Sequence, residues 1–170
     1  MSMNLPRAAA LGLVLAAVAA MPARAADPLT VSVKRLSMET AVRIARAAVE
    51  ACRAEGVQVA VTVVDRGGHP QAVLRDTLAP DVTLNISRQK AYTAMSFNAP
   101  LSSMEDRFTA PFSVGKVDGL VFSAGGLPIE VGGIIYGGIG VSGAPSGEQD
   151  ERCAMAGLNA VRDDLEMAGL

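Results

Sequence analysis

Half of the chain's 170 residues are hydrophobic and 19% are charged, with 15 basic against 17 acidic side chains and a formal net charge of −2. This mild acidity argues against nucleic acid or an anionic membrane as the main partner. There is no tryptophan, so a core must be built from Val, Ile, Leu, Ala and Met.

Residues 1–25 read as a secretory signal peptide. Arg7 supplies a short positive start, and Ala8 to Ala20 is an apolar stretch too short to span a bilayer comfortably. Ala23-Arg24-Ala25 is a small-x-small cleavage site. Cleavage leaves Ala26 as the N-terminus and removes two arginines and no acid, taking the net charge to −4. No later segment reaches the ~18 apolar residues of a spanning helix. The remaining length suits one domain that can bury a core without staples. The expected plan is a signal peptide over 1–25, a polar lead-in over 26–35 and a single domain over 36–170. The expected location is periplasmic or secreted.

Ser37 is a good N-cap, and Met38, Ala41, Val42, Ala45, Ala48, Val49 and Cys52 follow at helical spacing. Gly56 stops that helix as a C′ residue. Val57 to Val64, rich in valine, predicts a strand. Asp65-Arg66-Gly67-Gly68 is a turn, and His69 to Arg75 returns as a second strand. After a loop broken by Pro80, the spacing of Leu84, Arg88, Ala91 and Met95 predicts a helix from Val82 to Asn98, ended by Pro100. Leu101 to Phe108 reads as a short helix, Thr109 to Gly119 as an irregular loop and Leu120 to Ser123 as a short strand.

The stretch Gly125 to Gly143 organises the rest. Two apolar runs, Leu127 to Val131 and Ile134 to Val141, flank Gly132-Gly133, which can take the positive φ of a two-residue hairpin turn. The second run is studded with glycine, which weakens a strand unless something approaches its backbone closely. A packed helix, a neighbouring subunit and a ligand all remain open as that neighbour. Ser146 and Gln149 form a capping box for a last helix running to about Met167. Its inward face is Cys153, Ala156, Ala160, Val161 and Leu165. The order of elements lacks the βαβ alternation of a doubly wound parallel sheet. It predicts an α+β fold, with a five-stranded, mostly antiparallel sheet and helices on its faces. The N- and C-terminal helices are expected on one face.

Gly138 to Gly143 spells G-x-G-x-x-G, but a dinucleotide fingerprint needs a following helix and a further strand, and the chain ends after one helix. His69 is the sole histidine. It reads either as a hydrogen-bonded structural residue or as a metal ligand, and it carries any conventional haem proposal. Tyr92, Met95, Met104 and Tyr136 are the other axial donors. Arg75, Arg88 and Lys90 form a cationic set able to hold a carboxylate. Residues 88 and 90 cannot share a helix face, so one of them can point inward. No catalytic triad is visible, and general-base work would fall to carboxylates such as Asp65 or Glu130; Asp65 most simply caps its own turn. Cys52 and Cys153 fall on an early and a late helix. They read either as a disulfide, if those helices pack side by side, or as two small buried apolar residues.

V-D-R-G-G-H-P at 64–70, S-R-Q-K-A-Y-T-A at 87–94 and GGLPI…GGIGVSG…GEQDERCAMAGL at 125–158 together resemble the GlcG/HbpS-like family, also described as haem-degrading or haem-binding domains. The resemblance spans roughly residues 36–167. It implies a profilin-like α/β sandwich with a five-stranded antiparallel sheet, and homo-oligomers of up to eight copies. It implies haem as cofactor, and positions of interest at Asp65 and His69, at Lys90, Tyr92 and Thr93, and at Gly125-Gly126. One departure stands out: where the family often has an R-M-D-G-A-like segment, Arg75 is followed by Asp76-Thr77-Leu78-Ala79-Pro80.

The leading expectation is therefore an exported haem-binding protein. His69, Tyr92 or Thr93 would reach the iron, and Arg75 or Lys90 the propionates. The first alternative is a module for a small organic acid held by Arg75 and Lys90. The second is an enzyme that degrades haem or acts on a 2-hydroxy acid, for which no acid–base pair is visible.

Overall fold

The computed structural model describes residues 27–169; the expected signal peptide at 1–25, with Ala26 and Leu170, lies outside the described residues. Residues 1–31 form one unit, in which the described residues 27–31 hold no helix or strand; residues 32–170 form a second, which holds every element below. Among the described residues no helix is long and apolar enough to cross a membrane.

Helix α1 spans Met38–Ala54, with the Ser37 hydroxyl accepting from the Thr40 N–H at 3.2 Å. It buries Ala41, Ile44, Ala45, Ala48, Val49 and Cys52, while Met38, expected on this face, is exposed. Gly56, at φ 77°, ends the helix, and Val57 N–H returns to the Cys52 carbonyl at 3.0 Å.

Strands β1 (Ala60–Asp65), β2 (Pro70–Arg75), β3 (Gly126–Val131) and β4 (Ile134–Ser142) form one sheet in the order β2-β1-β4-β3. Every neighbouring pair is antiparallel. Gly132 (φ 59°) and Gly133 (φ 76°) make the expected hairpin turn between β3 and β4. The sheet has four strands among the described residues, not the expected five. Leu120–Ser123 forms no ladder, because its Val121 N–H donates at 3.0 Å to the Thr93 hydroxyl instead of to a strand.

β1 is buried along its whole length. Val61 and Val63 face the main core, where α1 and α3 (Gly147–Asn159) pack together as expected. Burial of each such valine contributes roughly 1.5–3 kcal/mol. Thr62 and Val64 face the other side, covered by α2 (Val82–Phe97). There Thr62 and Ser87 share a 2.9 Å hydrogen bond.

The glycines of β4 explain how α2 reaches the sheet. A Cβ at Gly140 would lie 2.1 Å from the Ser87 carbonyl oxygen, and one at Gly138 would lie 2.5 Å from that of Ala91. A packed helix is thus the close neighbour that the glycine-rich strand requires. The G-x-G-x-x-G spacing has a packing cause.

Cys52 on α1 and Cys153 on α3 form a disulfide. The Ser146 hydroxyl caps α3 by accepting from the Gln149 N–H at 3.3 Å, but the Gln149 side chain turns to Glu55 at 2.7 Å instead of closing a capping box. The last helix is interrupted near Ala160, and α4 (Arg162–Gly169) follows. Only a 3-10 turn, Leu101–Ser103, forms in the expected Leu101–Phe108 helix. Beyond it Phe97, Phe108 and Phe122 cluster, with ring centroids 4.6 to 5.5 Å apart, and give the long loop a small core of its own.

Candidate functional site

The turn between β1 and β2 meets the outer face of α2. Asp65 closes the turn: its Oδ1 accepts from the N–H of Gly67 at 2.8 Å and of His69 at 3.0 Å. Burial alone would raise the Asp65 carboxyl. The two backbone N–H groups, with Arg35 and His69 nearby, outweigh burial and hold it below the usual carboxylate range. The carboxylate therefore stays charged, buried beside an exposed imidazole, with His69 Nδ1 3.4 Å from Asp65 Oδ1. That neighbour favours the tautomer protonated on Nδ1 and leaves Nε2 as the free donor atom.

Gly68, at φ 81°, forms the floor of the turn. A Cβ there would lie 2.6 Å from the Tyr92 ring carbons, so only glycine lets the phenol lie flat against the turn. Together these groups border a cleft of about 460 Å³ lined by Gly67, Gly68, His69, Asn85, Arg88, Gln89, Tyr92, Asp118 and Gly119. Asn85, Arg88, Gln89 and Tyr92 come from one face of α2, at the three- and four-residue spacing that aligns side chains on a helix. Asp118 and Gly119 come from the long loop. The cleft thus offers an imidazole, a phenol, a guanidinium, a carboxylate and two amides.

The structure brings Asp65, His69 and Tyr92 together and sends other expected site residues elsewhere. Lys90 is the inward member of the 88/90 pair: it is buried, donating to Asp150 Oδ2 at 2.9 Å. Arg88 is the outward one, and it lines the cleft. Arg75 borders a different cleft beside Arg46, Arg53 and Asp76. Thr93 is fully buried; its hydroxyl donates to the Gln89 carbonyl at 2.8 Å and accepts from Val121. Thr93 ties the loop that carries Asp118 to α2. Gly125 and Gly126 lie in the interior, where added Cβ atoms would meet Lys90 Nζ at 2.6 Å and the Leu101 side chain at 2.7 Å. Met95 and Met104 are core residues.

Asn85, Gln89, Asp118 and Gly119 are additional to the residues singled out from sequence. The α2 residues carry a signal, their shared spacing with Tyr92. Asp118 carries none, because only the folded loop brings it there. Of the two candidate general bases, Asp65 is engaged with its own turn, and Glu130 accepts from Asn98 Nδ2 at 3.1 Å. Among the described residues no group of three or more His, Cys, Asp or Glu side chains could hold a metal ion.

Comparison with known proteins agrees with this architecture. No curated protein sequence matches the chain. Among solved structures, a double mutant of HbpS from Streptomyces reticuli is 39% identical, with a TM-score of 0.74, over 84% of this chain and 98% of its own. PduOC in complex with haem is 29% identical, with a TM-score of 0.69, over 75% of this chain and 95% of its own. The protein ORFY of Klebsiella pneumoniae, 24% identical with a TM-score of 0.74 over 79% of this chain and 95% of its own, shares the fold. The family model for the haem-degrading protein HbpS-like group matches residues 36–159. With that match over most of its length, the chain belongs to the HbpS-like family of haem-degrading proteins.

Proposed function

We propose that this protein is an exported haem-binding protein and that haem binds at the His69 cleft. The observation that carries the reading is an exposed imidazole, backed by a buried charged carboxylate, opening beside Tyr92 and Arg88. Imidazole nitrogen and phenolate oxygen are ordinary axial ligands of haem iron. The donor set therefore fits the group: His69 Nε2 or the Tyr92 oxygen faces the iron, and Arg88 pairs with a propionate. Haem, when bound, supplies the redox and oxygen chemistry that no side chain of the cleft provides.

Membership of the HbpS-like family and the likeness to a haem complex of PduOC support haem as the ligand class. The Cys52–Cys153 bridge supports an oxidising compartment, in keeping with the signal-like residues 1–25.

The test is a haemin titration followed by absorbance. A saturable, stoichiometric Soret shift that changes in His69→Ala is the expected result. A shift unchanged in His69→Ala but altered in Tyr92→Phe moves the ligand to the phenol. The absence of a saturable shift refutes the proposal.

A further inference from the structure

The loop that reaches the cleft carries an Asp-Gly pair, Asp118-Gly119, and nowhere else in the chain is an Asp or an Asn followed by glycine. The carboxyl carbon of an Asp lies within reach of the backbone nitrogen of the next residue. A side chain on that residue crowds the approach, and glycine has none.

The fold leaves this pair free to react. Leu120 N–H donates to the Val117 carbonyl at 3.3 Å and closes a turn with Asp118 and Gly119 at its centre, Gly119 at φ 87°. Both residues are exposed, and a Cβ added at Gly119 would meet nothing within 4 Å. Among the described residues the Gly119 N–H has no backbone partner and the Asp118 carboxylate forms no ion pair. Asp76 is the contrast. Its Oδ1 also stands beside the N–H of the next residue, Thr77, at 2.8 Å. There Arg53 grips both carboxylate oxygens, at 2.6 and 2.7 Å, and Thr77 is β-branched.

We propose that Asp118-Gly119 is a site of spontaneous isoaspartate formation, which reshapes the mouth of the cleft as the protein ages. The Gly119 nitrogen attacks Asp118 Cγ: a C–N bond forms, the amide proton is lost, and one carboxyl oxygen leaves as water. Water then opens the cyclic imide. Attack at Cγ restores Asp118. Attack at the main-chain carbonyl carbon breaks its bond to nitrogen and leaves the peptide running through Cβ and Cγ. No electron is transferred, and the product keeps the mass and the charge sign of the original. Asp118 and Gly119 both line the cleft, so the added backbone carbon and the displaced carboxylate fall at its edge. The bond from Val121 N–H to Thr93 lies beyond the turn and holds the rest of the loop to α2. The step does not depend on which ligand the cleft takes.

The full chain is held at neutral pH and physiological temperature for weeks, beside a synthetic peptide of residues 116–122. Samples are then unfolded, digested with trypsin and separated before mass spectrometry. Trypsin releases Val117 to Arg152 as one peptide. It is expected to split into two peaks of equal mass, with a transient third lighter by one water. Endoproteinase Asp-N, which cuts before Asp and spares isoaspartate, should lose its cut before residue 118. The rate in the folded chain is expected to lie within about tenfold of that in the free peptide. An isoaspartyl methyltransferase should label the aged protein from S-adenosylmethionine. Asp118→Glu, whose longer side chain would have to close a larger ring, should lose that label. A single unsplit peak, a folded-chain rate more than about tenfold below the peptide's, or label undiminished in Asp118→Glu overturns the proposal.

Discussion

Lys90 Nζ and Asp150 Oδ2 meet 2.9 Å apart, with each side chain only 5% exposed, and join α2 to the first turn of α3. Burial holds the Asp150 carboxyl above its usual range, and Lys90, with the N–H groups of Ala144 and Gly143, offsets only part of that rise. Removing the cation strands a buried carboxylate. Lys90→Met should therefore cost roughly 3–5 kcal/mol in denaturant unfolding. Asp150→Asn in the same background keeps the acceptor for Ala144 N–H and should restore part of that loss. Equal stability of Lys90→Met and the native protein would refute this account.

The α2–β4 contact makes a graded prediction. Gly140→Ala drives a methyl into the Ser87 carbonyl and should cost about 3 kcal/mol or more. Gly132→Ala, at φ 59° with open space around it, should cost only about 1–2 kcal/mol of left-handed backbone strain. Chemical denaturation of the two variants side by side checks the order.

Thr93→Val keeps the shape of the side chain but removes the acceptor for Val121 N–H. The expected loss is about 1–3 kcal/mol, the cost of a buried donor left unpaired. Amide hydrogen exchange should accelerate from Asp118 to Phe122 and little elsewhere. Uniform acceleration across the sheet would count against a local tether.

Acid should weaken the fold through two carboxylates. Asp76 is held below its usual range by the Arg53 side chain, and Asp65 by the backbone N–H groups that outweigh its burial. Both bind protons more tightly when unfolded. Their stabilisation is therefore present above the unfolded-state value of about 4 and fades as pH falls through the folded values. Tm should drop along that limb, and Asp76→Asn should lower Tm at neutral pH while flattening the drop.

The disulfide closes a long loop, with its cysteines 101 residues apart. Cys52→Ala/Cys153→Ala should lose roughly 2–5 kcal/mol, and reductant should lower the Tm of the native protein but not of the variant.

The sequence disclosed the parts of this molecule that rest on local rules. Gly132-Gly133 could only be a turn, Ser37 a cap, and β1 a buried strand. The spacing of 88 and 90 allowed one cation to turn inward, but whether and which one depended on Asp150, 60 residues from Lys90. Likewise Leu120–Ser123 has strand-like composition, and its ladder is pre-empted by a hydroxyl on a distant helix. His69, Asp65 and Tyr92 were each visible as chemistry. Their junction depends on Gly68 admitting a ring from another element. Asp118 enters the cleft from a loop whose shape is set by three phenylalanines, a relation with no sequence period.

Because Cys52 precedes the cleft's residues and Cys153 follows them, the covalent circuit encloses the whole lining. Exposed Arg107 and Lys116 offer trypsin a cut within the long loop. Such a nick would assign His69, Arg88 and Tyr92 to one peptide and Asp118 and Gly119 to the other, and neither would diffuse away. The nicked protein would run as one band without reductant and two with it, still able to be assayed for ligand as a tethered pair.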